Sequence, residues 1–148
     1  AKVPERWEFK HDMVGYNYRL PNINAALGCA QLEQLPGFLV AKRALAERYR
    51  QAFTNIFGIR FFLEPANSRS NYWLNTLLLD EQCAEQRDVL LKATNDIGIM
   101  TRPAWTLMHK LPMFTGCPKM DLSVAESLER RLLNIPSSAT LGSGLTNA

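Results

Sequence analysis

Two apolar runs, "IRFFLE" at 59–64 and "YWLNTLLL" at 72–79, follow one another with only a short connector built around "NSRSN" between them. Gly58 precedes the first run and Pro65 ends it, so both read as strands punctuated by turn residues. Consecutive strands with so short a link favour antiparallel pairing, and the apolar density of the second predicts a central position. Helical spacing surrounds this pair. From Asn22, with Pro21 at or near the first turn, Ile23, Ala26, Leu27, Ala30 and Leu35 recur at helical intervals. Pro36 in "LPGF" cannot donate a backbone hydrogen bond, so the pattern predicts a break or kink there. A second helix is expected over 38–54, with Phe38, Ala41, Leu45, Tyr49, Ala52 and Phe53 on its buried side. Lys42, Arg43, Glu47, Arg48 and Arg50 fall mostly opposite, most simply as a solvated face.

Further on, Asp80 opens an expected helix over "EQCAEQRDVLLKATNDIG", with Gly98 as its stop. "IMTRPAW" reads as a third short strand closed by Pro103. "DLSVAESLERRLLN" reads as the last helix, capped at Asp121 or Ser123; with Ser123 as the cap, Glu126 completes a capping box. "IPSS" suits a short final strand, and "ATLGSGLTNA" is expected to fray. The element order predicts an α+β fold, a small and mainly antiparallel sheet with helices on one face. The expected organisation is an entering segment at 1–20, linking helices at 21–57 and a small α+β domain at 58–148.

The 148 residues are 47% hydrophobic and 21% charged, enough for one globular core without staples. A net charge of +3 with interspersed signs argues against a nucleic-acid partner, which would require a clustered basic face. No apolar run approaches bilayer length, so no membrane partner is expected. Cys29, Cys83 and Cys117 are odd in number and widely spaced, which fits no disulfide framework; a reducing, cytoplasmic setting is the simplest reading. The opening "AKVPERWEFKHDMVGYNYR" lacks an initiator Met and has little periodicity. It predicts a piece of a longer protein whose preceding region is absent.

The densest polar cluster lies in "GYNYRLPNINAALG" at 15–28. Asn17 and Arg19 are two apart and would project to the same side of an extended segment. An amide donor beside a guanidinium suits a phosphate or carboxylate. The competing reading has Asn17 and Asn22 capping turns and Arg19 in water. His109, in "WTLMHKLP", suits an acid, a base or a ligand donor, against a loop histidine bonded to backbone. Arg102 precedes Pro103 and is therefore extended; it aims at an anion or sits solvated at a strand end. Trp73 and Trp105 read more readily as core than as stacking platforms. Two histidines with no acid or cysteine at ligand spacing give no metal site.

The stretch "GYNYRLPNINAALGCAQLEQL", followed by "KRALAERYRQAF", resembles the DegT/DnrJ family of pyridoxal-phosphate-dependent nucleotide-sugar aminotransferases. Gly15 to Arg19, Ala25, Ala26, Gly28, Gln31, Leu32, Lys42, Arg43 and Tyr49 carry the match. "GIMTRPAWTLMHKLPMF" is similar to a later family segment. "RPAWTLMHKLPMF" and "NIPSS" are most similar to the branch acting on UDP-linked 4-keto sugars of the legionaminic-acid or bacillosamine type. Gly37 departs from the pattern, since many members carry an acidic residue there.

The resemblance implies the C-terminal domain of a fold-type I aminotransferase with pyridoxal 5'-phosphate as cofactor. It implies a homodimer in which each site is completed by the neighbouring subunit. The substrates it implies are a nucleotide sugar with a C4 ketone and an amino donor, commonly glutamate. Asn17 is implied to donate to the cofactor phosphate of the partner's site, and Arg19 to contact phosphate or sugar nucleotide. Arg102, Trp105 and His109 match the segment lining the sugar-nucleotide pocket. The Schiff-base lysine precedes the matched motif in this family, and neither Lys2 nor Lys10 has its context, so no catalytic residue is assigned here. A dehydratase of the same family and a non-catalytic binding or dimerisation module remain the alternatives.

Overall fold

In the computed structural model, residues 13–16, 18 and 20–142 are described. A single long helix leads: α1 runs from Asn22 to Ala52. The expected break at Pro36 does not occur, and the two predicted helices are one. Pro36 removes one backbone donor, but the ladder continues on both sides of it. The far half is held in place by packing: Leu45 and Ala46 are buried, and Tyr49 and Phe53 lie against the core. The near half, by contrast, leaves Ile23, Leu27, Leu32 and Leu35 exposed.

The strands are β1 (Ile59–Phe61), β2 (Asn75–Leu79), β3 (Arg102–Pro103) and β4 (Leu132–Ile135). Among the described residues they form one antiparallel sheet in the order β1-β2-β4-β3. The α+β class, the antiparallel sheet and the central place of β2 are as expected. The edge position of β3 fits Pro103, which has no N–H to give a second neighbour. Register places Phe61 opposite Leu77, Leu77 opposite Leu133 and Asn75 opposite Ile135. Alternation therefore puts Ile59, Phe61, Leu77, Leu133 and Ile135 on one face. There Phe61, Leu77 and Ile135 join Ala46 and Tyr72 in the core.

Helices α2 (Gln86–Asp96) and α3 (Ser123–Arg131) complete the domain, α2 against β3 and β4 and α3 against β2. The start of α2 lies later than expected, since a 3₁₀ turn over Glu81–Cys83 intervenes. Its end is as expected: Gly98 adopts φ 85°. Gly98 N–H bonds to Asn95 O at 3.1 Å and Ile99 N–H to Thr94 O at 2.9 Å, the paired bonds of a Schellman stop.

Three further expectations are corrected. The last helix ends at Arg131, and Leu132, Leu133 and Asn134 belong to β4, not to the helix or to a strand starting at "IPSS". No capping box forms: the Asp121 carboxylate accepts from Ser123 N–H and Oγ, and Glu126 pairs with His109 instead. The expected frayed tail contains a short helix, α4 (Ala139–Gly142), seated on α1; its Leu141 carbonyl accepts from Arg48. All three cysteines are free. No helix among the described residues is long and apolar enough to cross a membrane.

Candidate functional site

The basic residues at the middle of α1 are not a solvated face. Lys42 Nζ donates to Ser137 O at 2.5 Å and lies 3.5 Å from Trp73 O. Burial lowers its pKa. Arg43 Nη2 and Nη1 reach Glu64 at 2.5 and 3.1 Å, and Nη1 also donates to Ser70 O at 2.7 Å. Glu64 in turn accepts from Ser70 N–H at 2.6 Å. Two consecutive helix residues thus tie α1 to the 64–73 loop and to the chain beyond β4. The sequence alone did not reveal this, because the partners lie 21 to 95 residues away.

The Arg43 guanidinium, then the Ser70 N–H, hold the Glu64 carboxyl below its ordinary value of 4.5. A depressed acid stabilises the fold above its ordinary pKa and loses that contribution as pH falls through the folded value. Thermal melting followed from pH 7 downward should therefore show a loss below about pH 4.5 that is reduced in Glu64→Gln. An unchanged profile in that variant would remove Glu64 from the acid response.

This loop delivers Trp73 to the surface. Tyr72 sits at φ 46°, a left-handed conformation uncommon for a bulky residue. Its ring is stacked on Phe61 at 6.4 Å, and the Arg43 guanidinium lies 5.5 Å from the ring centroid. Trp73 N–H bonds to Asn71 Oδ1 at 2.9 Å. Trp73 and Trp105 are 67% and 48% exposed, which overturns the expectation of core residues. Their rings stack on each other, with centroids 6.3 Å apart and planes 27° apart.

Both tryptophans line a groove of about 390 Å³ together with Arg102, Asn134, Ser137 and Ser138. The structure therefore brings Arg102 and Trp105 together, and adds Trp73, which the sequence pattern assigned to the core. Its only signal was an aromatic just before the apolar run of β2, equally consistent with packing. His109 is not in this groove. It lies on a 3₁₀ turn, Met108–Lys110, and lines a neighbouring depression with Phe114, Cys117 and Met120. Its Nε2 is 2.9 Å from Glu126 Oε1, and its side chain is 13% exposed. The backbone-bonded alternative for His109 thus gives way to a carboxylate pairing. Asn17 and Arg19 lie outside the described residues.

A pyridoxal phosphate ring requires a lysine for the Schiff base and an acid at the pyridine nitrogen. The described lysines do not fit that role. Lys42 is spent on backbone carbonyls, Lys92 pairs with Asp96 and Lys110 with Glu129; Lys119 is exposed. Among the described residues no group of His, Cys, Asp or Glu could hold a metal ion.

Comparison with known proteins follows the same lines. The family model described as the DegT/DnrJ/EryC1/StrS aminotransferase family matches residues 2–145. A GDP-perosamine synthase of Vibrio cholerae is 34% identical over 128 residues, covering 86% of this chain and 35% of that protein. Among solved structures, the aminotransferase TlmJ from Streptoalloteichus hindustanus superposes with a TM-score of 0.71 at 27% identity, over 82% of this chain and 32% of TlmJ. DesV of S. venezuelae gives a TM-score of 0.74 at 26% identity, over 94% and 37% of the two chains. The chain thus spans about a third of the length of the relatives it matches.

Proposed function

Because this chain belongs to the DegT/DnrJ/EryC1/StrS aminotransferase family, we propose that it is the C-terminal portion of a pyridoxal-phosphate-dependent sugar aminotransferase. The reaction is transfer of an amino group, with glutamate as donor, to the C4 ketone of a nucleotide-linked sugar in surface polysaccharide biosynthesis. The observation that carries this reading is the family match, which runs through nearly the whole chain. In this proposal residues 1–20 enter from a preceding cofactor domain, 21–57 link, and 58–148 form the small domain. The protein acts in the cytoplasm.

The described residues do not fit the cofactor ring, so their share of the work is binding and orientation. Asn17 donates to the cofactor phosphate of a partner subunit's site, and Arg19 lies beside it. Neutral amide and guanidinium donors suit phosphate oxygens, and the N-terminus of α1 adds a positive end. Arg102 and Trp105 hold the sugar nucleotide in the groove beside β3. His109 takes part through a ring that Glu126 orients. The homodimer would cover the exposed apolar side chains of the near half of α1.

The test is amino transfer from ¹⁵N-glutamate to a 4-keto nucleotide sugar. It uses the polypeptide that joins this chain to its preceding segment, with the chain by itself as the control. The longer protein is expected to place ¹⁵N at C4 of the sugar. The chain by itself is expected to form no aldimine absorbance and no borohydride-trapped lysine adduct. Loss of a sugar hydroxyl without ¹⁵N incorporation would establish a dehydratase, and neither reaction would leave a binding module. A stoichiometric adduct at one lysine of the chain, with turnover, would overturn the absence of a catalytic lysine.

A further inference from the structure

Two large aromatic side chains in contact at the surface form a candidate binding patch, because together they leave apolar area that burial would stabilise. Trp73 and Trp105 reach one another from different elements, Trp73 from the turn before β2 and Trp105 from beyond β3. They form a stacked pair of rings lining a groove, with centroids 6.3 Å apart. This wall is built and held. The left-handed Tyr72 is locked into the core by its stack on Phe61, and the next residue therefore projects outward. The Trp73 backbone is fixed at both ends, its N–H on Asn71 Oδ1 and its carbonyl near Lys42 Nζ. Strain held at one residue and spent on presenting another is a pattern of sites rather than of cores.

The rest of the groove is chemically uneven. Arg102 supplies positive charge, Asn134, Ser137 and Ser138 supply hydrogen-bonding groups, and Met100 and Pro103 supply apolar surface. A planar heteroaromatic base carrying a phosphate chain matches both parts. The base presents a π face to the indoles, and the anionic chain meets the guanidinium. We propose that Trp73 and Trp105 together stack the nucleobase of the substrate, making Trp73 a binding residue of that site. This rests on the nucleotide-sugar reading given above. A sugar ring against the same wall is the competing occupant. The exposed aromatic pair and the adjacent cation favour the base.

The test follows the indole N–H resonances of Trp73 and Trp105 in the ¹⁵N-labelled polypeptide that joins this chain to its preceding segment. The ligands are GDP, UDP and dTDP, with inorganic pyrophosphate and glucose 1-phosphate for comparison, each taken to 20 mM. At least one nucleotide is expected to shift both indoles saturably, while the base-free ligands leave them in place. Trp73→Ala is expected to weaken that nucleotide about tenfold or more, and Trp73→Phe by less than about threefold, since phenyl keeps a stacking face. An unchanged melting temperature shows that an exposed side chain was altered without unfolding the domain. Equal shifts with glucose 1-phosphate would assign the wall to the sugar and overturn the proposal. So would a nucleotide affinity unaffected by Trp73→Ala, or indoles that no nucleotide moves. Failure of stacking leaves ¹⁵N transfer by the longer protein untouched, whereas failure of that transfer with stacking intact removes the aminotransferase reading alone.

Discussion

Leu133→Ala is expected to lower the free energy of unfolding by about 2–5 kcal/mol, the range for truncating a buried leucine. Leu133 is 2% exposed and stands in β4, which joins β2 to the edge strand β3. Its register partners are Leu77 on one side and Pro103 on the other. Truncation therefore opens a void where three strands meet, and the hydrogen-bonded backbones around it cannot collapse to fill it. Leu141→Ala is the control, because that side chain is 46% exposed; it should stay within about 0.5 kcal/mol. Urea unfolding of both variants checks the pair. A cost for Leu133→Ala no greater than that of the control would mean β4 is not central to the core.

Gly58→Ala is expected to cost about 2–4 kcal/mol, from two separable sources. Gly58 precedes β1 at φ 77°, where a side chain is strained in any surroundings. A Cβ there would also lie 2.7 Å from Cys83 Sγ. Gly58 O accepts from Asp80 N–H at 2.9 Å, so the backbone cannot turn away without breaking that link between β1 and the end of β2. Gly98 separates the sources. It has φ 85°, but an added Cβ would meet nothing within 4 Å, so Gly98→Ala should show conformational strain alone, about 1–2 kcal/mol. Repeating Gly58→Ala in a Cys83→Ala background should bring its cost down to that of Gly98→Ala. If the sulfur swings aside freely, the two backgrounds will agree and the steric part is absent.

These two glycines illustrate unequal legibility. Gly98 was readable as a helix stop because it closes a periodic stretch, and its two capping bonds are local. The contact of Gly58 with Cys83 was not readable, since it depends on how the turn after β2 packs beside β1. The candidate site divides in the same way. The motif at 15–19 and the segment at 98–114 were visible as patterns, and Arg102 and Trp105 do share a groove. His109 lines a separate depression, its ring paired with Glu126 on α3. Nothing within a few residues of His109 signals that carboxylate.

What the sequence determined by itself was whatever a local rule enforces. Two apolar runs with a short link became antiparallel neighbours, Pro103 ended on an edge strand, and Gly98 stopped its helix. Tertiary structure decided wherever local preference was weak or divided. Pro36 forfeits one donor, a cost that the packing of the far half of α1 on the sheet outweighs. Leu132 and Leu133 extend the helical spacing of α3, yet their backbone groups pair with β2 and β3 instead, as strand. Lys42 and Arg43 look like solvent-facing residues until the loop at 64–73 and the chain after β4 fold back onto them. Trp73 looks like core until the left-handed turn at Tyr72 sends it outward. Trp73 apart, the deciding partner is tens of residues away, and no spacing rule over a short window can register a contact that exists only once the chain has closed on itself.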